Sequence, residues 1–97
     1  MARYDFIAAY IVANRKNGTL YTGSTSDLPH RAAQHAGGTG SQFTEKYGCM
    51  RLVWFERFDE MEPALKRERR IKSWPRQWKL NLINETNPDW RDLGVEL

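Results

Sequence analysis

Ninety-seven residues with a net charge of +3, 28% charged and 40% apolar side chains describe one soluble domain, 1–97, near the lower size at which a hydrophobic core suffices. A single cysteine, Cys49, excludes an internal disulfide and a structural zinc site, and suits a reducing, cytoplasmic setting. No stretch approaches the ~18 apolar residues of a membrane span, and Asp5 and Tyr10 interrupt the apolar start, so neither a secretory leader nor a membrane partner is expected.

Residues 4–13 (YDFIAAYIVA) are rich in strand formers and too apolar for an exposed edge. Asn14 to Gly18 is a polar turn, and Asn17-Gly18 is a strong hairpin signal, so residues 19–25 return as a second strand. With the turn centred on Asn17-Gly18, Tyr21 faces Asn14, and alternation places Tyr10, Val12, Asn14 and Tyr21 on one face. A two-residue loop leaves the two tyrosines about 13 Å out of step. A wider loop of even length brings them closer on the same face, whereas an odd loop or a bulge separates them.

A first helix is expected from Ser26 or Asp27, with Pro29 in its first turn. At about 100° per residue, Leu28, Ala32, His35 and Ala36 form one stripe with Arg31 on its edge, so Arg31 and His35 turn towards the sheet. Residues 36–48 form a glycine-rich connection with a short helical turn around Phe43 to Tyr47, and Lys46 is within reach of a phosphate. Residues 51–58 (RLVWFERF) are apolar on both faces, which predicts a central strand.

Asp59 and Glu62 form a capping-box pattern opening the next helix, whose stripe of Met61, Ala64, Leu65 and Ile71 contains Glu68. A carboxylate among core-facing residues is costly unless paired. Lys72 at i+4 or Arg31 are ordinary partners, and a metal ion at a cleft floor is the sharper alternative. A last helix is expected over Pro75 to Ile83, with Trp74, Trp78 and Leu82 inward; base stacking by the tryptophans is the alternative. After the break at Asn87-Pro88, the 85–97 tail should fold back through Trp90 and Leu93.

Seven basic residues and one acid lie between Lys66 and Lys79. Such a patch fits a nucleic-acid partner, with Lys46, Arg67, Arg70, Lys72 and Arg76 as the contacting cations, or else a solvated helix face. Cys49 at the entrance to an apolar strand reads as a packed thiol, no GxSxG elbow is present, and His30 and His35 lie on different helix faces. The remaining set, Tyr10, Tyr21, Arg31, His35 and Glu68, suits phosphodiester hydrolysis. That reaction needs a deprotonated water in line, cations on the phosphorus and help for the leaving oxygen. Glu68 can hold one Mg²⁺, which takes few carboxylates and keeps its waters.

These residues resemble the GIY-YIG nuclease superfamily, above all its short bacterial members. Ala8-Ala9-Tyr10 and Tyr21-Thr22-Gly23 stand for the two motifs, and Arg31, His35 and Glu68 fall where the family has its arginine, its histidine or tyrosine, and its metal-binding glutamate. Ala8 and Thr22 depart from the family's glycine and isoleucine, and for the late asparagine Asn81 and Asn87 are the candidates. The resemblance implies an α/β (α+β) fold, a small three-stranded antiparallel sheet flanked by helices. It further implies one Mg²⁺ (or Mn²⁺) on Glu68, a metal-bound water attacking the phosphorus, a tyrosine base with His35 adjacent, and transition-state stabilisation by Arg31. The expected activity is endonucleolytic, on DNA in preference to RNA, structure-selective, in repair or recombination. The alternatives are a nucleic-acid-binding module without cleavage and a protein-interaction domain.

Overall fold

The computed structural model describes residues 6–97, so the Tyr4-Asp5 beginning of the expected first strand lies outside the described residues. Strand β1 (Ile7–Ala13) pairs with β2 (Leu20–Thr25), followed by α1 (Leu28–Ala36), α2 (Gln42–Tyr47), β3 (Arg51–Phe58), α3 (Met61–Lys72) and α4 (Arg76–Thr86), with a 3₁₀ turn at Leu93–Glu96. The sheet is antiparallel with order β2-β1-β3. The central strand is therefore β1, not the 51–58 strand, which lies at an edge.

A β-bulge explains why this run is apolar on both faces. Ile11 pairs with Trp54 but Val12 pairs with Leu52, so one extra residue sits in β3. Val53 and Trp54 consequently pack in one cluster while Leu52 packs in the other. A run that reads as covered on both sides thus belongs to a bulged edge strand. Its edge is sealed by the tail: Asn87 Nδ2 donates to Val53 O at 3.1 Å, Leu52 N to Asp92 Oδ1 at 3.2 Å, and Arg51 Nη1 to Trp90 O at 3.2 Å.

Two apolar layers cover the sheet. Ala8, Tyr10, Val12, Leu52 and Cys49 pack with Leu28 and Ala32 of α1. Ala9, Ile11, Ala13, Val53 and Trp54 pack with Ile71, Ile83 and Trp90. The hairpin loop is the four residues Arg15 to Gly18, closed by Asn14 N donating to Thr19 O at 3.3 Å. Tyr21 accordingly faces Val12 instead of Asn14. The even loop preserves parity, so Tyr10 and Tyr21 share a face as diagonal neighbours, on the order of 7–8 Å apart.

Asp27 caps α1 by accepting from His30 N at 3.2 Å, with Pro29 in the first turn. The capping box of α3 does not form, because the N-cap residue is Glu60 and no side chain bonds there. In α4 the core position belongs to Ile83, about 140° around the helix from Trp78. Trp78 is 55% exposed and meets Trp74 edge-on, correcting its inward assignment, while Trp74 and Leu82 do pack on the core. Trp90 returns to full burial with its Nε1 on Asn84 Oδ1 at 2.8 Å.

Asn87 is buried and bonds Val53 O, Arg91 O and Arg91 N, whereas Asn81 lies exposed on α4 and accepts from Gln77. Asn87→Ala should lower unfolding free energy by about 1–3 kcal/mol, the cost of stranding buried backbone partners. Asn81→Ala should leave it unchanged. Urea denaturation of the two variants measures the contrast.

Candidate active site

Tyr10 lies at the centre of β1, opposite Gly23 of β2. A Cβ at Gly23 would stand 2.6 Å from the Tyr10 hydroxyl oxygen and 2.7 Å from Cζ, so only glycine lets the ring lie across β2. The glycine of the Tyr21-Thr22-Gly23 motif thus has a packing reason. Tyr10 Oη and His35 Nε2 are 3.0 Å apart and buried. On the other side of the imidazole, Nδ1 lies 3.3 Å from Thr44 Oγ1.

Neighbouring bonds favour one direction for this chain. Thr44 Oγ1 can give its one proton to Ser41 O at 3.2 Å or to Ser41 Oγ at 3.1 Å, and in either case its lone pairs are free to accept from His35 Nδ1–H. His35 Nε2 then carries no proton and accepts from the Tyr10 hydroxyl. Burial, reinforced by Arg31, lowers the His35 pKa to about 4, which keeps the ring neutral. Burial also raises the Tyr10 pKa, helped by Tyr21 and Glu68 and opposed by Arg31, so Tyr10 holds its proton. Tyr21, Arg31 and Glu68, the groups acting on Tyr10, all belong to the predicted set.

Gly40 makes room for the loop. A Cβ there would meet His35 Nδ1 at 2.0 Å, so the backbone passes directly over the imidazole. Its carbonyl takes Arg31 Nη1 at 3.4 Å. Arg31 Nε is buried without a hydrogen-bond partner, an uncompensated donor of a kind that native proteins rarely leave. The guanidinium is aligned by one weak bond and retains donors for an anion.

Glu68 arrives from the opposite layer. Ser24 pairs with Ala9, whose side chain belongs to the α3 face. Ser24 Oγ donates to Glu68 Oε1 at 2.5 Å, and Lys72 Nζ lies 2.6 Å from Oε2. Lys72 Nζ is also 5.9 Å from the Tyr21 ring centre. The site therefore straddles the edge of β2, with the tyrosines, Arg31 and His35 on one side and Glu68 on the other. Ser24, Thr44 and Gly40 were not foreseen, because their roles depend on which loop passes over which ring. Only Ser24, one strand position beyond Gly23, carried a hint in its place next to the second motif.

The cations expected to meet nucleic acid divide. Arg67 is tied to Glu56 at 2.9 Å and lies 5.8 and 5.3 Å from the Trp54 and Trp74 ring centres. Arg76 donates to Asn17 O at 2.8 Å and Gly18 O at 2.6 Å. Both serve as tethers within the fold. Lys46 and Arg70 are exposed, and Lys72 divides its reach between Glu68 and Tyr21. Cys49 is buried, donates to Thr19 O at 3.6 Å and has its thiol pKa raised by burial, consistent with packing.

Comparison with known proteins identifies the family and the fold. The family described as the GIY-YIG catalytic domain matches residues 6–81. A UPF0213 protein of Staphylococcus saprophyticus is 44% identical over 70 residues, covering 72% of this chain and 85% of its own. One from Haloquadratum walsbyi is 40% identical over 81 residues, covering 84% and 90%. The solution structure of a UPF0213 protein from Bacillus halodurans superimposes with a TM-score of 0.56 at 31% identity, over 90% of this chain and 92% of that one. With both motifs, the strand order and the polar set in place, the chain belongs to the GIY-YIG family, whose domain is in general that of a nuclease.

Proposed function

We propose that the chain is a divalent-metal-dependent endonuclease that hydrolyses phosphodiester bonds of DNA in preference to RNA, in a repair- or recombination-type setting. The observation that carries this reading is the buried, unpartnered Nε of Arg31 beside a tyrosine–histidine pair. A guanidinium held by one 3.4 Å bond in such a place is suited to a phosphate. Lys46, Arg70 and Lys72 supply further positive charge. A second cationic hollow, where the hairpin turn meets α4, is lined by Arg15, Arg76 and Lys79. No helix among the described residues is long and apolar enough to cross a membrane.

Glu68 would hold the cation. No cluster of three or more His, Cys, Asp or Glu side chains able to hold a metal occurs among the described residues. A single carboxylate fits Mg²⁺ or Mn²⁺, which complete their shell with water and substrate phosphate. When bound, such an ion neutralises phosphate charge and acidifies water. Lys72 would have to give up Glu68 Oε2 for it, while Ser24 keeps the other oxygen oriented.

The protein's own groups have separable roles in this reading. Arg31 binds a non-bridging phosphate oxygen and gains strength as charge grows there. Tyr10 is buried and keeps its proton on the His35 side, which leaves half-buried Tyr21, at the lip beside Lys72, as the tyrosine that would accept, as its phenolate, the proton of the attacking water. Neutral His35 holds Tyr10 and, through Thr44, the loop that carries Gly40 over the site.

Purified protein with Mg²⁺ should nick or cut DNA, EDTA should stop it, and Glu68→Ala should lower the rate at least ~100-fold with binding nearly intact. Equal cleavage by wild type and Glu68→Ala would remove Glu68 from the reaction, and binding without cleavage in the wild type would favour a binding module. Arg31→Met should slow cleavage by about 10²–10³. Its thermal stability should hold or rise, because an unsatisfied buried donor has gone.

Acid stability gives a third test. The unfolded imidazole binds its proton near pH 6.5, while folded His35 resists until about 4. Between those values the unfolded chain binds more protons, so the His35 contribution is complete above 6.5 and lost as pH falls towards 4. Melting temperature should drop across that window, and His35→Gln should flatten the drop. Equal slopes would place the acid-sensitive group elsewhere.

A further inference from the structure

Helix α2 is six residues long, capped by Ser41 and ended by Gly48 in the left-handed region, and its buried residue is Thr44. Its two aromatic residues face outward. Phe43 is 41% and Tyr47 43% exposed, and at i and i+4 they lie on one helix face with ring centres 4.7 Å apart. Burial is the ordinary fate of such rings in a small domain. Phe43 continues inward, 5.7 Å from Tyr21, which is 5.9 Å from His35, which is 5.5 Å from Tyr10. An aromatic ladder therefore runs from the buried core of the site to solvent.

We propose that Phe43 and Tyr47, at the exposed end of this ladder, stack an unpaired base flanking the phosphate bound at Arg31. The inference rests on the nuclease reading and deepens it by naming what the site selects. Two rings are too small a patch for a stable protein interface, which buries about 800 Å² per partner, but they match the face of one or two bases. The flanking charge suits the same occupant. Lys46 Nζ lies 5.3 Å from the Tyr47 ring centre, and Lys72 stands beside Tyr21 at the inner end. Continuity with Tyr21 puts the platform adjacent to the reacting phosphate.

A base inside a duplex already has both faces stacked and offers none to a protein. The platform therefore selects strands with a free base: single strands, flaps and frayed ends. Stacking reads no sequence, since every base has a π-face.

Two fluorescein-labelled probes test this by anisotropy in EDTA: a twelve-nucleotide thymidine oligomer and an abasic twelve-unit phosphodiester of equal charge. Wild type should bind the thymidine oligomer about tenfold more tightly. The Phe43→Leu/Tyr47→Leu double variant should bind both at the abasic level with an unchanged salt slope, since phosphate contacts set that slope. Phe43→Trp and Tyr47→Trp should keep the preference. Equal wild-type affinity for the two probes overturns the proposal without reference to any variant's folding, as does a preference that survives in the leucine variant. If wild type ignores both probes and cuts no nucleic acid, the nuclease reading itself has failed. Cleavage with no base preference sinks the platform alone.

Discussion

A buried hydroxyl must have a partner, and the Tyr10–His35 bond meets that requirement at the centre of the molecule. Tyr10 stands in a layer otherwise made of Ala8, Val12, Leu28, Ala32, Cys49 and Leu52, where an unpaired phenol would be destabilising. Together with the packing of Leu28 and Ala32, the bond ties α1 to the sheet. It then demands that β2 have no side chain at Gly23 and that the following loop have none at Gly40. Thr44, bonded to the far nitrogen of the same imidazole, seats α2 and turns Phe43 and Tyr47 outward. One satisfied polar pair thus accounts for two glycines, a loop path and the placing of a helix too short to be stable by itself.

The second organising fact is that the polar set is split between layers. Tyr10, Tyr21, Arg31 and His35 belong to the α1 side, while Glu68 and Ser24 belong to the α3 side. They meet at the edge of β2, where a narrow strand is all that separates the two faces. An edge strand is ordinarily a liability. Here α3 packs along it, and the ion pair of Lys72 with Glu68 beside Tyr21 keeps its boundary charged.

Much of this was legible in the chain itself, for identifiable reasons. Period-two alternation survives any even loop, so Tyr10 and Tyr21 shared a face even though the loop has four residues instead of two. Helical period likewise carried Leu28, Ala32 and His35 to one buried stripe. What failed was information held between elements. The bulge that lets β3 put apolar residues on both faces while lying at an edge depends on pairing with β1. Whether Ile83 or Trp78 enters the core depends on how α4 rolls on the sheet. Arg67 and Arg76 read as free cations because nothing local announces Glu56 or the turn carbonyls as partners. Ser24 and Thr44 are short polar side chains whose partners lie 44 and 9 residues away.

The grip of Arg76 on the hairpin turn has a wider meaning. Its guanidinium holds two successive carbonyls, Asn17 O and Gly18 O, across 59 and 58 residues of sequence. Strand β2 follows that turn directly, and a slip of one residue would reverse the facing of Tyr21, Gly23 and Ser24 together. Edge strands resist slippage least, because they are paired on one side only. Alignment of the reactive groups is therefore guarded by a residue with no place among them, acting as a gauge block at the tip of the hairpin. The late helix calibrates the early strand, so the second motif's meaning is completed near the other end of the fold.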